Sequence, residues 1–207
     1  MTELADELAD HLDLAGRVGE LLPELGKVAD RLIETYETGG RLFTFGNGGS
    51  AADAQHLAAE LIGRYRRDRR PLPALALTVD PSVLTCIAND FGYDDVFARQ
   101  VDGFVRAGDM VAAFSTSGRS PNVVRGLDAA RRHGATTVFF GGMSAGADGG
   151  PAAAHADHAL IVDSTRTARI QEMHLLLLHL LSERVDAWAA GEAGDTPGGV
   201  GHGAGHR

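Results

Sequence analysis

One cysteine, Cys86, stands in 207 residues. An intrachain disulfide framework is therefore excluded, and a reducing compartment, the cytoplasm, is the expected setting. With no motif around it, Cys86 reads as a small buried residue rather than a nucleophile. No apolar run reaches the roughly 20 residues that span a bilayer. The N-terminal MTELADELADHL is acidic and amphipathic, unlike a secretory signal, so no membrane partner is expected. Net positive charge is also lacking. The formal charge of −9 argues against a nucleic-acid binder, which would carry a basic face. The local exception, Arg64, Arg66, Arg67, Arg69 and Arg70, reads as a solvated helix end well placed on the helix dipole. There is no Gly-Lys-Ser/Thr, which excludes a nucleoside-triphosphate loop. Gly46, Gly48 and Ala51 fit a dinucleotide fingerprint, but the acidic residue expected about twenty positions on is missing, Asp80 coming too late.

What is present is a globular composition, 44% hydrophobic, enough for one domain over residues 1–190. Residues 191–207 are Gly-rich and patternless and read as a disordered tail, with His202 and His206 incidental. Residues 3–37 carry apolar residues at steps of three and four, interrupted by Gly16, Gly19 and Pro23. That pattern predicts a kinked helix or two helices whose stripe packs on the domain and on another subunit. From Arg41 the chain alternates strand-like runs (41–45, 74–78, 109–114, 136–140, 158–162) with helical ones (50–65, 81–88, 94–105, 120–133, 166–190). Near-continuous apolar strands alternating with helices mean an α/β fold, a parallel sheet covered on both faces. Ligands of such sheets bind beyond the carboxyl ends of the strands.

Two strand-to-helix turns carry the chemistry. Gly46-Asn47-Gly48-Gly49 leads into a helix from Ser50, so backbone N–H groups and the positive end of the dipole face whatever lies over the turn. One turn further, His56 and Glu60 stand four apart and share a face. The second turn, Ser115-Thr116-Ser117-Gly118-Arg119-Ser120, offers hydroxyls together with N–H groups. Ser120-Pro121 fits N-cap and N1 of the next helix. Two serine-rich turns suit one phosphate and several sugar hydroxyls better than a pyrophosphate. The last helix is apolar nearly all round, which predicts burial on most sides and a subunit interface. Within it lie Gln171, His174 and His179. Gln171 and His179 are eight residues apart, about 12 Å along the axis, so serving one centre requires reach from opposite sides or from different subunits. The second arrangement, a composite site, is the expectation.

FGNGGSAADAQH with Glu60, IANDFGY at 87–93, FSTSGRS at 114–120 and RIQEMH with His179 together resemble the phosphoheptose isomerase (sedoheptulose 7-phosphate isomerase) family of the sugar-isomerase (SIS) domain superfamily. The likeness runs to about Trp188. It implies a flavodoxin-like three-layer sandwich with a five-stranded parallel sheet and an N-terminal helical segment over 1–38. It also implies a homotetramer with active sites at subunit interfaces. Asn47, Gly48, Gly49, Ser50, Glu60, Asn89, Asp90, Ser115, Thr116, Ser117, Ser120 and Gln171 match its substrate-binding positions, the serine loop taking the phosphate. His56, Glu60, Gln171 and His179 match its zinc positions, one Zn2+ per subunit, and Glu60 and His179 its catalytic pair. Arg119 departs from the family's usual asparagine. The implied reaction is an aldose–ketose isomerisation of sedoheptulose 7-phosphate to D-glycero-D-manno-heptose 7-phosphate through an enediol, the first step towards nucleotide-activated heptose. The superfamily also holds a non-catalytic tetramer that binds a replication initiator. Those proteins lack the Glu and final His, which are both present here, so the enzyme is expected.

Overall fold

The computed structural model describes residues 3–144 and 146–192; the expected tail lies outside the described residues from 193 on. Five parallel strands run β1 (Leu42–Gly46), β2 (Ala74–Ala76), β3 (Met110–Ser115), β4 (Thr136–Gly142) and β5 (His158–Val162), in the order β2-β1-β3-β4-β5. β1, β3 and β4 are buried along their whole length. This is why they read as apolar runs rather than alternating ones. Successive side chains still point to opposite faces. Leu42, Met110, Ala112, Phe114, Val138 and Phe140 enter one core, and Phe43, Phe45, Val111, Ala113 and Phe139 enter the other.

The first face is covered by α1 (Glu3–Arg17), α2 (Leu22–Glu37), α3 (Gly49–Ile62) and the long last helix, α8 (Thr167–Ala189). The second is covered by α4 (Pro81–Asp90), α5 (Ala98–Phe104), α6 (Pro121–Arg132) and the short α7 (Gly150–Ala153). Phe45, Phe97, Phe114, Phe139 and Phe140 are fully buried, each worth about 1.5–3 kcal/mol against exposure. Three layers around a five-stranded parallel sheet agree with the expected sandwich.

Differences are local. The N-terminal segment is two helices joined by a 3-10 turn at Val18–Leu21, between Gly16 and Pro23. The expected helix 94–105 starts late, after a 3-10 turn at Tyr93–Asp95. Cys86 is exposed, not buried: it lies on the outer side of α4, its Sγ 3.6 Å from the Asp90 carboxylate. α8 buries Ile170, Met173, Leu177, Leu178, Leu181 and Val185, a stripe of helical spacing, and leaves Leu175 and Leu180 partly exposed. On α1, Leu4, Leu8 and Leu12 are 81%, 58% and 62% exposed, so one side of that helix faces away from the domain. Among the described residues no helix is long and apolar enough to cross a membrane.

The connections from β1 and β3 leave in opposite directions along the sheet, since β1 is followed by β2 on one side and β3 by β4 on the other. Adjacent strands that diverge in this way open a crevice at their carboxyl ends. The Gly46–Gly49 turn and the 115–120 loop both stand there.

Candidate metal and active centre

α3 begins at the glycine turn and α8 packs beside it. An ideal Cβ on Gly49 would meet the Gln171 amide at 2.5 Å, so that amide lies against the first turn of α3. Seven residues on, His56 Nε2 faces His179 Nε2 at 3.3 Å. Contacts 49 to 171 and 56 to 179 advance together, so the two helices run parallel and side by side. One chain therefore provides both helices of this cluster. The 12 Å between Gln171 and His179 is met by giving each its own partner on α3, with no second subunit required for His56, Glu60 and His179 to meet.

His56 Nε2 is also 3.0 Å from Glu60 Oε1, and the three ligand atoms of His56, Glu60 and His179 lie within 4.8 Å of one another. Two imidazole nitrogens and a carboxylate oxygen turned toward one point form a set that suits zinc. Burial, and then the neighbouring His56 imidazole, push the His179 imidazole below its ordinary value, against the pull of Glu60. A neutral imidazole is the form that ligates a metal. Of the four expected zinc positions, three converge, while Gln171 is placed at the glycine turn.

Asp53, one turn before His56, was not legible as part of this cluster. Its Oδ2 is buried without a hydrogen-bond partner. Burial pushes its carboxyl up to about 6, and His56 pulls it back. The D-x-x-H-x-x-x-E spacing, which sets all three on one helical face, was the available signal.

Asn47 forms a reciprocal amide pair with Asn122, Nδ2 to Oδ1 2.8 Å one way and 3.0 Å the other. The Tyr93 hydroxyl donates to the same Asn47 oxygen at 3.2 Å. This side chain therefore ties the glycine turn to the start of α6, and Asn122, 2% exposed, is the partner the sequence did not reveal. Ser115 Oγ accepts the Gly118 N–H and Ser117 Oγ the Arg119 N–H, leaving each hydroxyl proton to be donated elsewhere. Ser120 is the N-cap of α6 with Pro121 following, as expected, but its side chain makes no capping bond. Arg119 is exposed. Gly118 has φ +60, and a Cβ there would overlap the Gly149 carbonyl oxygen. Asn89 and Asp90 are exposed at the end of α4, Asn89 Nδ2 donating to Asp90 Oδ1 at 2.7 Å.

His174 is fully buried and its Nε2 lies 3.1 Å from the Gly141 carbonyl. Burial drives its pKa down to about 4, so it packs as a neutral ring against Phe114 and Phe140.

The chain as a whole has close relatives. A family model described as a SIS domain matches residues 11–142. A phosphoheptose isomerase from a Roseiflexus species is 49% identical over 182 residues, covering 87% of this chain and 90% of the relative. The chain belongs to the phosphoheptose isomerase family. Members of that family are aldose–ketose isomerases. The solved phosphoheptose isomerase of Neisseria gonorrhoeae superposes with a TM-score of 0.82 at 38% identity, covering 89% of this chain and 97% of that one. That of Francisella tularensis gives 0.83 at 29%, covering 90% and 99%.

Proposed function

We propose that this chain interconverts sedoheptulose 7-phosphate and D-glycero-D-manno-heptose 7-phosphate. The reading rests on one observation above the others: in a family of isomerases, a carboxylate and two imidazoles, Glu60, His56 and His179, converge between α3 and α8, the two helices that also meet at the glycine turn. Glu60 takes the proton from C1 of the ketose, giving an enediol, and returns a proton at C2. His179 exchanges the protons of the two oxygens, O1 losing one and O2 gaining one, so atoms and charge balance. His56, Glu60 and His179 would hold zinc, which when bound would polarise the sugar oxygens. Gln171 at the glycine turn, with Asn47, Gly48, Gly49, Ser50, Asn89 and Asp90, would bind the sugar end. Ser115, Thr116, Ser117 and Ser120 would bind the phosphate, using the unspent hydroxyl protons and the uncapped start of α6. The product would enter nucleotide-activated heptose synthesis in the cytoplasm. A homotetramer would cover the leucine stripe of α1 and the outer leucines of α8 and would bring substrate-binding residues to subunit interfaces.

The test is direct. Purified protein is given sedoheptulose 7-phosphate with and without added zinc, and aldose 7-phosphate is measured. Turnover that Glu60→Gln abolishes in a folded protein is expected. No turnover under either condition overturns the reading.

A further inference from the structure

The arginine run after α3 is not simply a solvated helix end. The Arg69 side chain is 0% exposed, as is that of Asp186 on α8. Arg69 Nε donates to Asp186 Oδ1 at 2.9 Å. Its other nitrogens donate to the carbonyls of Glu60 at 2.7 Å, Leu61 at 2.8 Å and Arg70 at 2.9 Å. Arg69 thereby satisfies carbonyls that the end of α3 leaves without helical partners, that of Glu60 among them. Asp186 in turn accepts the backbone N–H groups of Tyr65 at 3.4 Å, Arg66 at 3.1 Å and Arg67 at 2.8 Å. Burial alone would push this carboxyl up, but the N–H groups of Arg67 and Arg66, with the Arg69 guanidinium, outweigh it and hold the carboxyl below its usual range.

Two consequences meet at the reactive cluster. The Tyr65 ring, whose backbone Asp186 holds, lies 5.7 Å from the His179 ring at a 31° tilt. Asp186 follows His179 by seven residues, two turns on the same face of α8. From the α3 side, Arg69 grips the backbone oxygen of Glu60 itself.

We infer that Asp186 and Arg69 form a buried latch that positions the His179 imidazole against Tyr65 and fixes α3, with Glu60, at its working distance from α8. These are positioning residues: neither touches the place where substrate would react. The inference rests on His56, Glu60 and His179 being the reactive cluster. A single carboxylate that gathers three N–H groups and an arginine is demanding to replace. In Asp186→Asn one oxygen becomes an NH2 that faces donors, which opens half of the latch.

The experiment compares Asp186→Asn with Leu127→Ala, which empties a fully buried position on α6, in the core on the opposite face of the sheet from α3 and α8. Three quantities are read on the full chain. They are the melting temperature, the zinc affinity measured with zinc alone against a chromogenic chelator, and the His179 imidazole carbon–proton NMR signal of metal-free protein. That signal is assigned by its loss in His179→Gln. Both variants are expected to melt lower. Only Asp186→Asn is expected to shift the His179 signal and to weaken zinc binding by about 10-fold or more. An unmoved His179 signal in folded Asp186→Asn, or an equal shift in Leu127→Ala, overturns the inference. If Asp186→Asn does not fold, Arg69→Lys decides, since lysine cannot reach Asp186 and the Glu60 carbonyl as a fork. An unmoved signal there overturns it equally. Absence of turnover or of zinc binding in the unaltered protein would sink the functional reading alone, and the NMR signal would still judge the latch.

Discussion

His56 and His179, 123 residues apart in the chain, face each other through their Nε2 atoms at 3.3 Å. Two rings that each offer a nitrogen to the same point need something between them, a proton or a metal ion. Glu60, 3.0 Å from His56 Nε2, brings a carboxylate oxygen to the same point, and two imidazoles with a carboxylate are a donor set that suits a metal ion.

The first prediction follows from that pair. After dialysis against zinc, the protein should carry about one ion per chain, and His56→Ala or His179→Ala should lose nearly all of it. Metal analysis of the three proteins, with circular dichroism to establish folding, checks this. Full zinc retention in both variants would place the ion elsewhere.

Asn122 gives a prediction about binding. Asn122→Ala removes both amide bonds to Asn47 and leaves the Asn47 side chain with the bond from the Tyr93 hydroxyl. The cost to folding should be about 1–3 kcal/mol, that of unpairing one buried amide. The KM for sedoheptulose 7-phosphate should rise by about ten-fold as the turn loosens, an affinity loss of about 1.4 kcal/mol. Denaturant melts and steady-state kinetics separate the two effects, and an unchanged KM would count against Asn47 as an organiser of the sugar turn.

Two glycines should fail in different ways. At Gly118 an added Cβ meets the Gly149 backbone with φ at +60, so Gly118→Ala should destabilise the fold by more than about 1 kcal/mol. At Gly49 the three atoms nearest an added Cβ all belong to the flexible end of Gln171. Gly49→Ala should therefore keep its melting temperature within a few degrees while losing activity by displacing that amide. The double variant Gly49→Ala/Gln171→Ala should be no less active than Gln171→Ala, a coupling that a double-mutant cycle measures.

His174 makes a prediction about pH. Its folded pKa, about 4, lies below the ordinary 6.5, so between those values the unfolded chain binds the extra proton and stability falls as pH falls. Neutral His174 should thus cost the fold on the order of 3 kcal/mol between pH 6.5 and 4. Asp53, raised to about 6, acts with the opposite sign below pH 6, its protonated form being favoured by folding. His179, also held below its ordinary value, adds a loss of the same sign, so His174→Leu should remove its own share of the acid-side loss and leave the rest. Denaturation midpoints of unaltered and His174→Leu protein from pH 7 to 4.5 test this; parallel curves would show that His174 is not the source.

The strands were legible because buried parallel strands have to be apolar on both faces, and five such runs separated by helical ones admit few other architectures. β1 and β3 were read to within a residue of their ends. His56 and Glu60 were legible as neighbours because a helix puts positions four apart on one face. The two hydroxyl- and glycine-rich turns stood out by composition. Cys86 was misjudged for a related reason: its residue type favours burial, but only the placement of α4 decides which side of that helix meets solvent.

What local pattern cannot carry is a contact whose two sides are far apart in sequence. That His179 meets His56, that Asn122 holds Asn47, and that Asp186 reaches across to Arg69 each depend on where α8 and α6 land on the sheet. Their landing is decided by the packing of apolar side chains from many strands and helices at once. A charged residue such as Arg69 has the same helix-end look in the sequence whether it meets water or a buried carboxylate. The sequence by itself determined the element order, the parallel sheet and the chemical character of the two turns and the His56–Glu60 face, because these follow from periodicity and residue chemistry. The tertiary structure alone decided that α3 and α8 run parallel and in contact, because only close packing across the first face of the sheet sets that register.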